Sequence, residues 1–285
     1  MKHLKIFIEL TRLNKPIGFM LLFWPCSWGL AYSYSFDQKT DLFVLYLILF
    51  FFGAILMRSA GCIFNDIIDK DFDKQVKRTK KRPLASNKIS VRQAFMYVVI
   101  LCLLAFLILI QFNSKTIILG LGSMLLAFSY PFMKRFTYWP QLFLGLTFNW
   151  GLIMAWTAMN NQISFEILLF YVSAIFWTLG YDTIYGTQDM SDDEIIGLKS
   201  TSIKFKNHIK LFISISYLLS SLFLIFLFRN FFSINLFTIF FFLFVFTLLY
   251  QVIKFNKKKS KLCLRLFKIN NYTGLLLFLG IFLIS

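Results

Sequence analysis

Two short stretches gather carboxylates in a chain that is otherwise poor in them. The first reads Asn65-Asp66-Ile67-Ile68-Asp69-Lys70-Asp71-Phe72-Asp73, and the second runs from Asp182 through Tyr185 and Asp189 to Asp192 and Asp193. At about 100° per residue, Asp66, Asp69 and Asp73 lie within roughly 60° of one another on a helix, and Asp71 points about 140° away from Asp66. Asp182 and Asp189 are seven residues apart and share a face, with Tyr185 between them. The offset of 116 residues from Asp66 to Asp182 recurs from Asp69 to Tyr185 and from Asp73 to Asp189, which marks an internal duplication.

Carboxylates stacked on one face repel one another unless a cation neutralises them. Mg2+ suits such a set: it takes oxygen ligands, keeps several waters, and is usually held by a few carboxylates together with substrate phosphates. Asn65, Asp66, Asp69, Asp73, Asp182 and Asp189 are therefore candidate metal ligands. Basic residues follow each cluster: Lys77, Arg78 and Arg82 after the first, and Lys199 with Ser200 and Thr201 after the second. Guanidinium and ammonium groups fit phosphate oxygens. The plainer alternative is a charged loop that keeps the protein solvated.

These faces must be carried by membrane-spanning elements. Of 285 residues, 58% are apolar and 15% charged, and 38 are Phe. A soluble domain is about half apolar and about a quarter charged. The net charge of +17 does not point to nucleic acid, because the basic residues lie in short gaps between long apolar runs. Nine runs approach the roughly 20 residues a spanning helix needs: about 16–34, 42–64, 93–111, 116–133, 139–158, 165–182, 211–228, 231–253 and 271–285. The first has no small-residue cleavage pattern and reads as a retained helix. The four cysteines, Cys26, Cys62, Cys102 and Cys263, show no CxxC pair and no metal-ligand spacing.

Lysine and arginine set the orientation. One side of the membrane takes 26 of them, on the N-terminal segment, the 134–138 turn and the loops 65–92, 183–210 and 254–270. The other takes three, Lys39, Lys115 and Arg229. The N-terminus and both carboxylate clusters are thus expected on the cytoplasmic face, in a single polytopic domain spanning 1–285. Arg58 is the thirtieth, inside the second span.

At these residues the chain resembles the UbiA superfamily of intramembrane aromatic prenyltransferases. Asn65-Asp66-x-x-Asp69-x-x-x-Asp73 resembles its NDxxDxxxD motif, Asp182-x-x-Tyr185-x-x-x-Asp189 its second motif, and Tyr130-Pro-Phe-Met-Lys134 its YxxxK element. The stretches Arg12–Gly18, Met57–Cys62, Arg78–Leu84, Tyr130–Pro140 and Gly197–Thr201 narrow the likeness to the branch that acts on 4-hydroxybenzoate, over about residues 10–205. Asn14 departs from the pattern, since members often carry Asp there. The resemblance implies an all-α membrane fold of about nine transmembrane helices, built as two pseudo-repeated four-helix halves around a central cavity. It also implies Mg2+-dependent transfer of a polyprenyl group from polyprenyl diphosphate to 4-hydroxybenzoate in ubiquinone synthesis, at a bacterial inner membrane. Other acceptors used in the superfamily (homogentisate, dihydroxynaphthoate, protohaem) remain open at this point, as does a cation transporter whose acids form an ion site.

Within that expectation Asp66, Asp69, Asp73, Asp182 and Asp189 are catalytic, and Arg78, Arg82, Tyr130, Lys134, Arg135, Tyr185 and Lys199 bind substrate. Lys134 and Arg135 would meet diphosphate or the benzoate carboxylate. An arginine inside a span is a functional-site hypothesis by default. Arg58 either pairs with that carboxylate or snorkels to the interface, less than two turns away. Arg12 reads as a helix-entrance anchor, the six tryptophans as membrane belt or core, and Lys257-Lys258-Lys259 as a contact for anionic headgroups.

Overall fold

The structure is a computed structural model and describes residues 2–284; Ser285, the last residue of the ninth expected span, lies outside them. In chain order the α-helices are α1 (Lys2–Thr11), α2 (Ile17–Asp37), α3 (Thr40–Ile68), α4 (Lys70–Asp73), α5 (Val91–Leu109), α6 (Ser114–Phe136), α7 (Pro140–Asn160), α8 (Phe165–Gly186), α9 (Met190–Ile195), α10 (Thr201–Lys204), α11 (Ile209–Leu227), α12 (Leu236–Lys254) and α13 (Ser260–Phe282). Among the described residues there is no strand. The starts are written into the sequence as caps. Ser90 forms a capping box with Gln93, and Asn113, Ser164 and Asn235 accept from the backbone N–H three residues on. Pro140 opens α7, where its missing N–H costs nothing.

The nine long helices correspond to the nine apolar runs. Seven of them (α3, α5, α6, α7, α8, α11 and α12) are long and apolar enough to cross a membrane. The exceptions are α2 and α13. Helix α2 is packed by α3, α7 and α13 and buries twelve residues, so its Ser, Tyr and Trp side chains face protein instead of lipid. Helix α13 begins at Ser260, eleven residues earlier than hydropathy indicates, because Lys261, Arg265 and Lys268 dilute its first three turns. The cytoplasmic gap expected at 254–270 shrinks accordingly to 255–259. The outer faces carry exposed apolar side chains such as Leu125, Leu218, Phe242 and Phe246, as a lipid-facing surface requires.

The duplication is visible in the packing. Helices α2, α3, α5 and α6 form one half and α7, α8, α11 and α12 the other; α2 pairs with α3 and α3 with α5, as α7 pairs with α8 and α8 with α11. Both leading helices end on a residue in the left-handed region, Gln38 (φ 48°) and Asn161 (φ 53°). The halves meet where α2 crosses α7. At that crossing a methyl group on Gly29 would lie 2.5 Å from the Leu152 carbonyl oxygen, and one on Gly151 would overlap the Cys26 sulfur. Glycine lets the two backbones touch there. Helix α13 closes against α2, α8 and α12 and is pinned by buried bonds: Trp177 Nε1 donates to Asn270 Oδ1 (2.9 Å) and Trp28 Nε1 to the Gly274 carbonyl (2.9 Å).

Candidate active site

Both carboxylate clusters sit at the ends of spans. Helix α3 stops at Ile68, Asp69 adopts φ −93°, ψ 6°, and α4 resumes one residue later. The single face expected through Asp73 is therefore interrupted at Asp69, yet the outcome of the spacing is kept: Asp66, Asp69 and Asp73 are 1%, 0% and 6% exposed. Asp71 faces solvent and takes a hydrogen bond from Lys74 (2.8 Å), which holds its carboxyl below the usual range. Helix α8 ends at Gly186 in the same way, and Asp189 precedes α9. The exposed carbonyls of two helix C-termini add to the negative field of the acids, so both ends call for cations.

Protein cations answer that call. Arg12 Nη2 donates to Asp66 Oδ1 at 2.6 Å, and Arg82 Nη1 bridges Asp66 (3.0 Å) and Asp73 (2.8 Å). Lys134 Nζ donates to Asp69 Oδ2, while Arg135 donates to the Ile68 carbonyl (2.8 Å). Arg78 forks onto both oxygens of Asp189, donates to the Tyr185 hydroxyl (3.2 Å) and lies over that ring. The Lys77 backbone N–H donates to Asp192 (3.3 Å), so two contacts tie the 65–92 loop to the 183–210 loop. Burial and the neighbouring Asp189 push the Asp193 carboxyl up to about 6.

Arg12 is the residue that sequence reasoning undervalued. The helix-entrance position marks it as an anchor, but it sits at φ 57°, a conformation that non-glycine residues seldom adopt, and this reversal swings its guanidinium back onto Asp66 and toward Cys62. Nothing in the local pattern of types signals that turn.

These groups roof a cavity of about 1380 Å3 that descends between the helices. Asn65, Asp69, Asp73, Asp182, Tyr185 and Asp189 line it, as do Arg12, Arg58, Arg78, Arg82, Tyr130, Lys134 and Lys199. Asp66 and Arg135 do not: Asp66 lies behind Arg12 and Arg82, and Arg135 is turned onto the end of α3. Lys199 is spent on the wall, its Nζ donating to the Phe136 carbonyl (3.2 Å) and its N–H to the Lys134 carbonyl (2.8 Å). Asn14 is at the rim. Deeper down the walls become apolar, with Leu103, Phe106, Leu109, Leu121, Met124 and Phe128. Trp150 also lines the cavity, contrary to the assignment of all six tryptophans to belt or core; Trp24, Trp28, Trp156 and Trp177 are indeed buried core.

Arg58 turns into the cavity. Its guanidinium carbon is 5.3 Å from the Phe148 ring centre, and Gly18 leaves the space beside it: a methyl group there would lie 2.9 Å from Arg58 Nε. Among the described residues Arg58 and Asp182 are in no ion pair within 4.0 Å. The cavity thus has two polar stations, a carboxylate–cation roof and the Arg58 guanidinium beside an aromatic ring, within electrostatic reach of Asp182.

The roof suits a divalent ion in its donor chemistry. All the donors are hard oxygens, and Asp69 Oδ1 is buried with no hydrogen bond, with Arg135 3.5 Å away. Among the described residues no three acids converge on one point, because Arg12, Arg82, Arg78 and Lys134 stand between them.

The sequence profile described as the UbiA prenyltransferase family matches residues 22–279. A 4-hydroxybenzoate octaprenyltransferase of Vibrio vulnificus (strain CMCP6) is 38% identical over 278 residues, covering 98% of this chain and 96% of the relative. The mitochondrial 4-hydroxybenzoate polyprenyltransferase of Arabidopsis thaliana is 46% identical over 209 residues, 73% of this chain and 51% of that protein. Among solved structures, the apo UbiA homolog from Aeropyrum pernix K1 superposes with a TM-score of 0.77 at 21% identity, covering 92% of this chain and 96% of that one. A UbiA homolog from Archaeoglobus fulgidus bound to GPP and Mg2+ gives 0.72 at 16% identity, covering 97% and 99%. Both share the fold.

Proposed function

Since the chain belongs to the UbiA prenyltransferase family, we propose that it transfers a polyprenyl group from polyprenyl diphosphate to the ring carbon beside the hydroxyl of 4-hydroxybenzoate, releasing diphosphate. The observation that carries this reading is the roof of paired carboxylates and cations above a deep apolar cavity, with a separate guanidinium below it. Asn65, Asp69, Asp73, Asp182 and Asp189 would hold Mg2+, joined by Asp66 once its two arginines leave it. The bound ion neutralises charge that develops on the leaving group.

The chain's own residues do the rest. Arg12, Arg78, Arg82 and Lys134 exchange aspartate oxygens for diphosphate oxygens and stabilise the same developing charge. Arg58 takes the carboxylate of 4-hydroxybenzoate and sets the ring against Phe148 and Tyr130. The apolar walls keep water from the allylic carbon while its C–O bond breaks, the ring carbon bonds to it, and the proton on that ring carbon passes to the released diphosphate. The roof, the basic loops and the N-terminus face the cytoplasm, in a multi-pass protein of the bacterial inner membrane.

The experiment is an assay of the purified protein in vesicles with geranyl diphosphate and labelled 4-hydroxybenzoate. Product is expected with Mg2+ and none with excess chelator, and turnover returns when Mg2+ is restored. Undiminished turnover in chelator removes the metal from the scheme. Faster prenylation of homogentisate or dihydroxynaphthoate overturns the acceptor.

A further inference from the structure

The C-terminal third of the chain has an unusual charge balance. Residues 195–285 contain twelve Lys and Arg and no Asp or Glu. Three of those cations, Lys261, Arg265 and Lys268, follow one another at spacings of four and three on α13. At about 100° per residue they fall within roughly 60°, and they span about 10 Å along the axis. All three are exposed, and the buried bonds of Asn270 and Gly274 fix the helix so that this face points outward. Among the described residues none of the three is in an ion pair within 4.0 Å. They are free to meet an anion from outside the chain.

The stripe does not end at the surface. Lys268 lines the reaction cavity, and its neighbour Phe267 packs on Tyr185 with ring centres 4.6 Å apart, one contact from the Arg78–Asp189 fork. Tyr272, next on the same face, is 65% exposed and also lines the cavity. A row of unpaired cations thus runs from the start of α13 to the cavity wall.

We propose that Lys261, Arg265 and Lys268 form a landing stripe for the diphosphate head of the membrane-resident prenyl donor, which they pass along α13 into the cavity. The proposal rests on the donor reading given above. A polyprenyl diphosphate keeps its tail in the bilayer, so its head travels in the plane of the cytoplasmic interface, where these side chains stand. Lysine and arginine on exposed turns offer exchangeable point charges, which suit transit better than a fixed cage. Continuity with the cavity favours the donor over bulk anionic lipid, which has no reason to follow the stripe inward.

The test is the double variant Lys261→Gln/Arg265→Gln, reconstituted in vesicles of phosphatidylcholine alone. Each cation near an anionic surface is worth roughly fivefold in binding at low salt. The KM for farnesyl diphosphate should rise roughly tenfold or more at low ionic strength, with kcat held. The KM for water-soluble dimethylallyl diphosphate, which need not arrive along the interface, should stay within about twofold. An unchanged KM for the farnesyl donor overturns the stripe, as does an equal rise for both donors. A defect seen only when phosphatidylglycerol is present assigns the stripe to bulk lipid and also overturns the proposal. Absence of product from the wild-type protein with every prenyl diphosphate would instead sink the activity itself, so the two failures are distinguishable.

Discussion

Gly18→Ala probes the acceptor station without touching a charged group. The added methyl would sit 2.9 Å from Arg58 Nε and 3.5 Å from Nη2, where ordinary contact begins at 3.4 Å, so the guanidinium must retreat by roughly half an ångström. Arg58 is the far end of a flexible side chain, and the fold absorbs the shift. Alanine also favours the helix by up to about 1 kcal/mol over glycine, so thermal stability should hold or rise. The binding geometry should not survive so well. A misplacement of about 1 Å can cost roughly 100-fold, and half of that on a logarithmic scale is about tenfold, or about 1.4 kcal/mol. Steady-state kinetics in vesicles at saturating donor should therefore show the KM for 4-hydroxybenzoate up about tenfold, with the donor KM within twofold. A stable Gly18→Ala protein with wild-type KM for the acceptor would refute the placement of the carboxylate on Arg58.

Three further outcomes follow from the same geometry. Arg58→Ala should raise the acceptor KM more than the donor KM, and Lys134→Ala the reverse, each by about 2–5 kcal/mol of lost pairing; a matched fall in kcat alone for both would point to transition-state roles instead. Asp69→Ala and Asp182→Ala should abolish turnover in the vesicle assay, whereas Asp71→Ala, whose side chain faces solvent on Lys74, should retain most of it; loss of activity in a well-expressed Asp71→Ala protein contradicts the burial pattern. Single cysteines placed at Gln75 and Ile195 should both react with an impermeant reagent applied from the cytoplasmic side, and reaction of either from the outside alone would separate the two clusters.

The spacing of Asp66, Asp69 and Asp73 was legible because helical phase survives one irregular residue: the break at Asp69 costs no register, since α4 resumes at once. The two-half architecture was legible from the offset of 116 residues, which the packing of α2, α3 and α5 against that of α7, α8 and α11 repeats. Three features were not. Arg12 reaches Asp66 through a positive φ that its residue type does not announce. Helix α13 starts early because hydropathy averaging reads an amphipathic first half as a loop. Asp66 was grouped with its neighbours by face, yet whether it looks into the cavity depends on which arginines arrive from elsewhere in the chain.

The glycine contact between α2 and α7 bears on how the protein moves. At Gly29 the α2 backbone meets the Leu152 carbonyl directly, and at Gly151 the α7 backbone seats the Cys26 sulfur, so the seam leaves little room for one half to roll over the other. Transporters built from repeated halves work by rocking about such a seam. Here the close backbone approach resists such rocking, and spin labels set on either side of it should report one fixed distance with or without substrates. The roof is held differently, by contacts made through side chains between the 65–92 and 183–210 loops, Arg78–Asp189 and Lys77–Asp192, which can break and re-form without disturbing the seam. On this build, admitting substrate calls for releasing those two contacts and not for rocking one half against the other.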